Sequence, residues 1–400
     1  MSKIINIPKL RFKEFSGVWE DKLIGQILTV GSGKDYKHLS NGDIPVYGTG
    51  GYMLSVNDYL YDGESVGIGR KGTIDKPIFL TGKFWTVDTL FYTHSFKNSV
   101  PKFIYSIFQR INWKLYNEAS GVPSLSKSTI EKIKIFIPSK HEQEKIASFL
   151  ISIDTRIEQL TKKEQLLQQY KKSVMQKIFN QEIRFKDDDG SEFCEWEEKK
   201  LGDICKLQGG FAFKSEQFRK SGIPIIRISN ISNINNYIDR ENIVYYDAIP
   251  NDRNFSITNG DLIVAMSGAT TGKASIYNLN EKAYLNQRVG LFRANKDKLY
   301  YWYLVQFVFS KLFYRQLDTV LVAGAQPNIS SKDIEDFKFN LPCLKEQIKI
   351  ANFLSSIDSK IEQVQQHLNS TKEFKKALLQ QMFVWGNRIV FFGIRNYWIF

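Results

Sequence analysis

Two short runs combine cations, hydroxyls and glycine as a phosphate-contacting loop requires: Arg70-Lys71-Gly72-Thr73 and Ser267-Gly268-Ala269-Thr270-Thr271-Gly272-Lys273. Glycine lets backbone N–H groups approach a phosphate closely, and hydroxyls and cations donate to its oxygens or to base edges in a groove. A second pair of runs has similar chemistry, Tyr47-Gly48-Thr49-Gly50-Gly51 and Arg227-Ile228-Ser229-Asn230. A third pair is Gly121-Val122-Pro123-Ser124 and Ala325-Gln326-Pro327-Asn328. Arginine suits the guanine edge, and asparagine or glutamine the adenine edge, which marks Arg70, Arg227, Asn230, Gln287 and Arg288 as base readers. Tyr47, Thr49, Lys71, Thr73, Ser124, Ser229, Ser267, Thr270, Thr271, Lys273 and Asn328 are further contacts on the same reasoning. Each of them reads equally well as a phosphate contact or a turn former, so the elements that carry these loops decide their weight.

Other chemistry fails on spacing. Gly268 to Ala274 is one residue short of a P-loop and lacks the Ser or Thr after Lys273. Its continuation, Ser275-Ile276-Tyr277, reads as a strand where a P-loop needs a helix. Gly67-Ile68-Gly69-Arg70-Lys71-Gly72 matches a GxGxxG pattern with no strand–helix–strand unit behind it. No Asn-Pro-Pro-Tyr segment marks an amino-methyltransferase, and no acidic–Lys nuclease cluster stands out. Asp88 and Asp261 read as turn residues. Cys194, Cys205 and Cys343 form no CxxC pair, and His38, His94, His141 and His367 are isolated, so no zinc spacing can be built.

The loops sit in a repeated frame. Glu142-Gln143-Glu144-Lys145-Ile146-Ala147-Ser148-Phe149-Leu150 returns as Glu346-Gln347-Ile348-Lys349-Ile350-Ala351-Asn352-Phe353-Leu354. The offset stays constant through Gln176-Lys177-Ile178-Phe179 and Gln380-Gln381-Met382-Phe383, and Pro138 and Pro342 share it. The starts of the halves match at a different offset: Leu10-Arg11-Phe12-Lys13 with Ile183-Arg184-Phe185-Lys186, and Trp19-Glu20 with Trp196-Glu197. Matching ends around unlike middles suggest one frame carrying two different recognition surfaces.

After each proline comes a helical seam. Ile146, Leu150, Ile153, Ile157, Leu160, Leu167, Val174 and Ile178 alternate steps of three and four, interrupted by Glu164 and Lys171. Ile350, Leu354, Ile357, Ile361, Val364, Leu368, Leu378 and Met382 do the same, interrupted by Thr371 and Lys375. Neither stretch contains Gly or Pro, and residues 142–179 would span about 57 Å as a helix. One apolar seam needs a cover. The pattern predicts that the two helices pair antiparallel; the competing arrangement packs each helix on its own domain.

Residues 15–140 and 192–343 read as mixed, giving an α+β class. Strands are expected at 44–47, 65–69, 84–87 and 90–92 in the first, and at 223–226, 261–265 and 289–292 in the second; helices are expected at 101–117 and 298–317. The division by chain position is 1–140, first recognition domain; 141–180, first helix; 181–343, second recognition domain; 344–383, second helix; 384–400, an aromatic-rich tail with no counterpart in the first half. The chain has 400 residues and a net charge of +13, a balance that seeks polyanions. Met1 to Lys9 lacks a signal-peptide core, and the longest apolar run, 300–309, is broken by Gln306 and too short for a bilayer. A cytoplasmic chain without membrane contact is expected.

The two openings, Trp19-Glu20-Asp21-Lys22-Leu23-Ile24-Gly25-Gln26-Ile27 and Trp196-Glu197-Glu198-Lys199-Lys200-Leu201-Gly202-Asp203-Ile204, and the doubled Pro…Glu-Gln-x-x-Ile-Ala-x-Phe-Leu-x-x-Ile-Asp helices, resemble the specificity subunits of type I restriction–modification enzymes over residues 10–383. The resemblance implies two pseudo-repeated recognition domains that each read one half of a split double-stranded DNA sequence. It also implies paired helices that hold the domains apart and bind two methyltransferase subunits, joined by restriction subunits with ATP-driven motor and nuclease activity. Such a chain is non-catalytic and holds no cofactor of its own; S-adenosylmethionine, ATP and magnesium would bind the partner subunits. The alternative is a coiled-coil scaffold with two protein- or RNA-binding modules; a stand-alone methyltransferase or nuclease is the third reading.

Overall fold

The computed structural model describes residues 6–232, 236–322 and 328–384. The aromatic tail beyond Val384 lies outside the described residues. The chain forms two units, Met1–Thr161 with Gln366–Phe400, and Lys162–Gln365. Each unit takes the start of one long helix and the end of the other, so its packing follows a different division from position along the chain.

In unit 1, Glu20–Leu23 pairs antiparallel with Lys134–Ile137, Glu20 opposite Ile137, which brings the two ends of the first mixed segment together. One antiparallel sheet has the order Thr29–Ser32, Leu90–His94, Ser65–Gly69, Ile78–Leu80. The other has the order Gly51–Val56, Asn41–Gly48, Lys83–Thr86, Tyr61–Asp62, and its central pair is parallel, with Val46 opposite Trp85. Ser65–Gly69 is buried at every position, which is why it reads as an unbroken run rather than an alternating one. Its one polar side chain is satisfied: Ser65 Oγ accepts from Thr93 N–H, and Thr93 Oγ1 accepts from Val66 N–H.

Unit 2 repeats this plan. Glu197–Lys200 pairs with Lys338–Leu341. One sheet has the order Cys205–Gly209, Val289–Ala294, Leu262–Ala265, Ala274–Ile276, and the other Val244–Tyr246, Ile223–Ile226, Ala283–Leu285, Ser256–Ile257, again with one parallel pair, Ile225 opposite Tyr284. The α+β class and the duplicated frame therefore hold at the level of strand order.

The helices expected at 101–117 and 298–317 are each broken. The first ends at Phe108, because Trp113 folds back: its indole N–H donates to Phe108 O at 2.9 Å, and its ring packs 5.1 Å from that of Phe108. The second is two helices, Tyr301–Val308 and Lys311–Val322, divided where Ser310 Oγ accepts from Phe313 N–H in the manner of an N-cap.

The long helices are Lys140–Phe179 and Leu344–Gln381. In unit 1, Leu10 N–H donates to Gln381 O while its neighbour Arg11 pairs with Glu142, so the end of the second helix lies beside the start of the first. Farther along, Lys375 meets Asp154 at 2.6 Å. In unit 2, Gln365 donates to Glu164 and Lys171 to Asp358: the number falls on one helix as it rises on the other, which is antiparallel pairing. Ile146, Leu150, Ile153 and the partly buried Ile157 share a core with Leu378, Met382 and Phe383, but also with Trp19 and Phe103 of the domain that precedes the helix. Ile350, Leu354, Ile357 and the partly buried Ile361 share another with Val174, Ile178 and Phe179, and with Leu304 and Phe307. Leu160 and Val364 are buried as well. The seam thus covers both arrangements weighed from sequence: its residues are shared between helix pairing and the domain core, each large side chain contributing about 1.5–3 kcal/mol. Among the described residues no helix is long and apolar enough to cross a membrane.

Candidate nucleic-acid interface

The three loop families gather at the ends of the central strands in unit 1. Strand Ser65–Gly69 ends in a loop that folds back so tightly that a Cβ on Gly69 would stand 2.1 Å from Thr73 O, which only glycine permits. Arg70 N–H donates to Thr89 O at 2.8 Å and Leu125 N–H to Arg70 O at 2.8 Å. Lys71 bridges to Ser124, and Gly72 N–H donates to Pro123 O. The hairpin tip Thr49-Gly50 joins them: Thr49 Oγ1 is the nearest neighbour of Gly72's open face, and Val87 N–H donates to Tyr47 O. Tyr47, Thr49, Arg70, Lys71, Thr73 and Ser124 therefore come together, with Arg70 and Lys71 exposed and Thr49, Thr73 and Ser124 half-buried. Tyr47 is half-buried with its ring edge-on to Tyr52.

Unit 2 repeats the constellation with other side chains. Met266 N–H donates to Arg288 O, Ile329 N–H to Met266 O, Asn286 N–H to Ile226 O, and Ser267 bridges to Asn328. These match the Arg70–Thr89, Leu125–Arg70 and Val87–Tyr47 bonds and the Lys71–Ser124 bridge one for one. Ser229, Gln287, Arg288 and Asn328 are exposed, and Ser267 and Lys273 are half-buried. Ala325, Gln326 and Pro327 lie outside the described residues.

Four residues expected at the surface are held inward instead. Asn230 is fully buried: its Oδ1 accepts from Arg227 N–H, and its Nδ2 donates to Asp239 O and Glu241 O. It closes the loop and has no edge left for a base. Thr270 Oγ1 donates to Ile228 O and Thr271 Oγ1 to Gly268 O, so both hydroxyls spend their proton on loop shape. Arg227 is half-buried, its guanidinium donating to Asn242 O at 2.7 Å and lying over the Phe218 ring. The physical reason is common to all four: a loop without regular pairing must satisfy its own backbone carbonyls, and the nearest polar side chains do so. Residue type alone does not separate these from the exposed polar residues beside them, Ser229, Gln287 and Arg288. Sequence reading passed over Tyr52 and Met53, which are 62% and 49% exposed beyond the Thr49 turn, and gave no contact to Val122 within its loop, which is 56% exposed beside Ser124. Exposed apolar side chains beside these loops are a signal no donor–acceptor search detects.

A second group of residues, matched by the repeat but given no role from sequence, ties each domain to its helix. Glu142 accepts from Arg11 Nε and Nη2 at 2.8 and 2.7 Å and from the Trp19 indole. Glu346 accepts from Arg184 Nε and Nη2 at 3.0 and 3.1 Å and from the Trp196 indole at 2.9 Å. The Glu346 carboxylate holds the proton of the Arg184 guanidinium more tightly than usual. The next residue in each helix is a buried glutamine. Gln143 accepts from Val100 N–H and donates to Pro138 O and Asn98 O; Gln347 accepts from Tyr300 N–H and donates to Pro342 O and Lys298 O. Each glutamine thereby satisfies a free N–H at the start of the helix that packs on the sheet. The Glu-Gln pair of the repeat is thus a double clamp between the long helix and the domain before it.

Residues 17–168 and 194–372 both match the type I restriction modification DNA specificity domain. The chain is 27% identical over 342 residues to the type I restriction enzyme MjaVIII specificity subunit of Methanocaldococcus jannaschii, covering 82% of this chain and 78% of that one. It is 30% identical over 194 residues to the EcoBI specificity subunit of Escherichia coli, which covers 46% of this chain and 38% of the relative. Among solved structures, the S subunit of a type I restriction–modification system from M. genitalium superposes with a TM-score of 0.66 at 16% identity, over 95% of this chain and all of that one, which is a likeness of fold.

Proposed function

This chain belongs to the type I restriction–modification DNA specificity family, and from that premise we propose that it reads a bipartite, asymmetric double-stranded DNA sequence, one half through each recognition domain. Specificity subunits are non-catalytic, and this one directs chemistry performed by its partners: two methyltransferase subunits docked on the long helices, and restriction subunits that translocate and cleave DNA in the cytoplasm. S-adenosylmethionine, ATP and magnesium belong to those partners in this reading. The target adenine would leave the duplex to reach the partner's active site.

The observation that carries the proposal is the doubled loop constellation: the same backbone bonds in both units, presenting Arg70 and Lys71 in one and Ser267, Lys273, Gln287 and Arg288 in the other. One frame with two side-chain sets supports two unlike half-sites. Co-expression with the cognate methyltransferase, followed by single-molecule sequencing of the host DNA for methyladenine, tests it. Methylation at one split motif with different halves, present only with this chain, is the expected result. A palindromic motif, or a stable complex that methylates nothing in a chain-dependent way, would overturn it.

A further inference from the structure

Of the three cysteines, Cys194 and Cys343 are far apart in sequence but adjacent at the neck of the second recognition domain. The antiparallel pair Glu197–Lys200 with Lys338–Leu341 ends with Glu197 opposite Leu341. Continuing past that end, the chain reaches Cys194 on one side and Cys343 on the other within two or three residues. Arg184 holds this junction shut: its Nη2 donates to Cys194 O at 2.8 Å and to Glu346 at 3.1 Å, and Glu346 lies in the first turn of the helix that begins just after Cys343. Cys194 is exposed and Cys343 half-buried, whereas Cys205 is buried in the core. The Cys194 thiol is pushed up by the desolvation it suffers and then by the thiol of Cys343 beside it. The matched positions in the first unit are Gly17, two residues before Trp19, and Ser139, directly after Pro138, so only the second domain carries this thiol pair.

We propose that Cys194 and Cys343 form a reversible disulfide that closes the second recognition domain into a covalent loop at its neck. The oxidant is a small-molecule disulfide. The exposed Cys194 loses its proton to solvent and attacks one sulfur of that disulfide, expelling one thiolate and leaving a mixed disulfide. Cys343, deprotonated in turn, attacks Cys194 Sγ and expels the second thiolate. Two protein thiols are oxidised, one small disulfide is reduced to two thiols, and the protons pass through solvent. The bond restricts the unfolded chain across residues 194–343 and fixes the start of the second long helix to the domain it follows.

The test uses the full chain, in complex with its methyltransferase where that is needed for solubility. Incubation with oxidised glutathione, then alkylation, digestion and mass spectrometry, should yield a Cys194–Cys343 linked peptide. The number of titratable thiols in denaturant should fall from three to one and return to three with dithiothreitol. Cys205, whose thiol burial pushes up to about 12, should be the one that remains. Cys194→Ser or Cys343→Ser should retain one glutathione adduct on the surviving partner and form no internal link. Separate stable glutathione adducts on Cys194 and Cys343 in the unaltered chain, a link through Cys205, or both thiols remaining free would overturn the proposal.

Discussion

Lys171 Nζ lies 2.6 and 2.7 Å from the two carboxylate oxygens of Asp358, and the repeat places its equivalents, Lys375 and Asp154, at 2.6 Å in the other unit. The two lysines that interrupt the apolar seam are therefore charge partners of the aspartates in the Ile-Asp motif. Their side chains are 11% and 15% exposed, and the aspartates 32% and 36%. In a parallel pairing of the two repeats in register, lysine would face lysine and aspartate would face aspartate. The ion pairs thus oppose that alternative as well as joining the helices, a role that charges in a coiled-coil seam commonly have.

Removing the carboxylate should cost more than removing the ammonium, because the lysine is the more deeply buried of the two. Asp358→Ala leaves Lys171 without its carboxylate in a largely buried position and should destabilise unit 2 by about 2 kcal/mol. Lys171→Met should cost less than about 1 kcal/mol, because Asp358 keeps the Gln306 amide donor. Denaturation midpoints of the two variants and their combination form the check. Equal losses for both single changes would mean that the pair does not act through uncompensated charge.

The Glu-Gln clamp makes a local prediction. Glu142→Ala strands the Arg11 guanidinium and the Trp19 indole, and should cost unit 1 about 3 kcal/mol. Hydrogen exchange should then speed up in Glu20–Leu23 and Lys134–Ile137. The matching change, Glu346→Ala, should loosen Glu197–Lys200 and Lys338–Leu341 in the same way. Unchanged exchange in these strands would remove the clamp role.

Asn230 and Arg288 separate structure from readout. Asn230→Ala removes three hydrogen bonds from a buried loop and should destabilise the protein by about 2 kcal/mol. The motif methylated by the surviving protein should stay the same. Arg288→Ala, at an exposed position, should leave stability within about 0.5 kcal/mol and relax or change one position of one half-site. Sequencing of methylated DNA from both variants distinguishes the roles, and a changed motif with Asn230→Ala would contradict its assignment as a loop closer.

Arg70 and Lys71 can be sorted by salt dependence. If Lys71 contacts phosphate, Lys71→Ala lowers affinity about equally for all sequences and reduces the slope of log K against log salt by about 1. If Arg70 reads a base, Arg70→Ala costs about 1–3 kcal/mol on the cognate half-site and little on an unrelated duplex. Titrations at several salt concentrations measure both. Loss of neither affinity nor slope would take this loop out of the interface.

Much of this protein was legible in the sequence because its repeat is written in residue identity. The duplicated Glu-Gln…Ile-Asp helices, their heptad seam and the paired Gly-containing loops depend on local periodicity and chain order, which a linear text preserves. From those features came the two recognition domains and the pairing of the helices, while the α+β class followed from the mixed strand and helix pattern of residues 15–140 and 192–343. Tertiary structure decided what no spacing encodes. Asn230 and Arg288 are both polar loop residues, and only the carbonyls of Asp239 and Glu241, brought close by the fold, turn the first inward. Lys171 and Lys375 look like flaws in a seam until Asp358 and Asp154 arrive from the other helix. Cys194 and Cys343 are scattered in the sequence, and strand pairing makes them neighbours. For the lysines and the cysteines the deciding partner is distant along the chain, and for Asn230 it lies nine and eleven residues on but meets the amide only through the path of the folded loop, so in each case the effect exists only after the chain has folded.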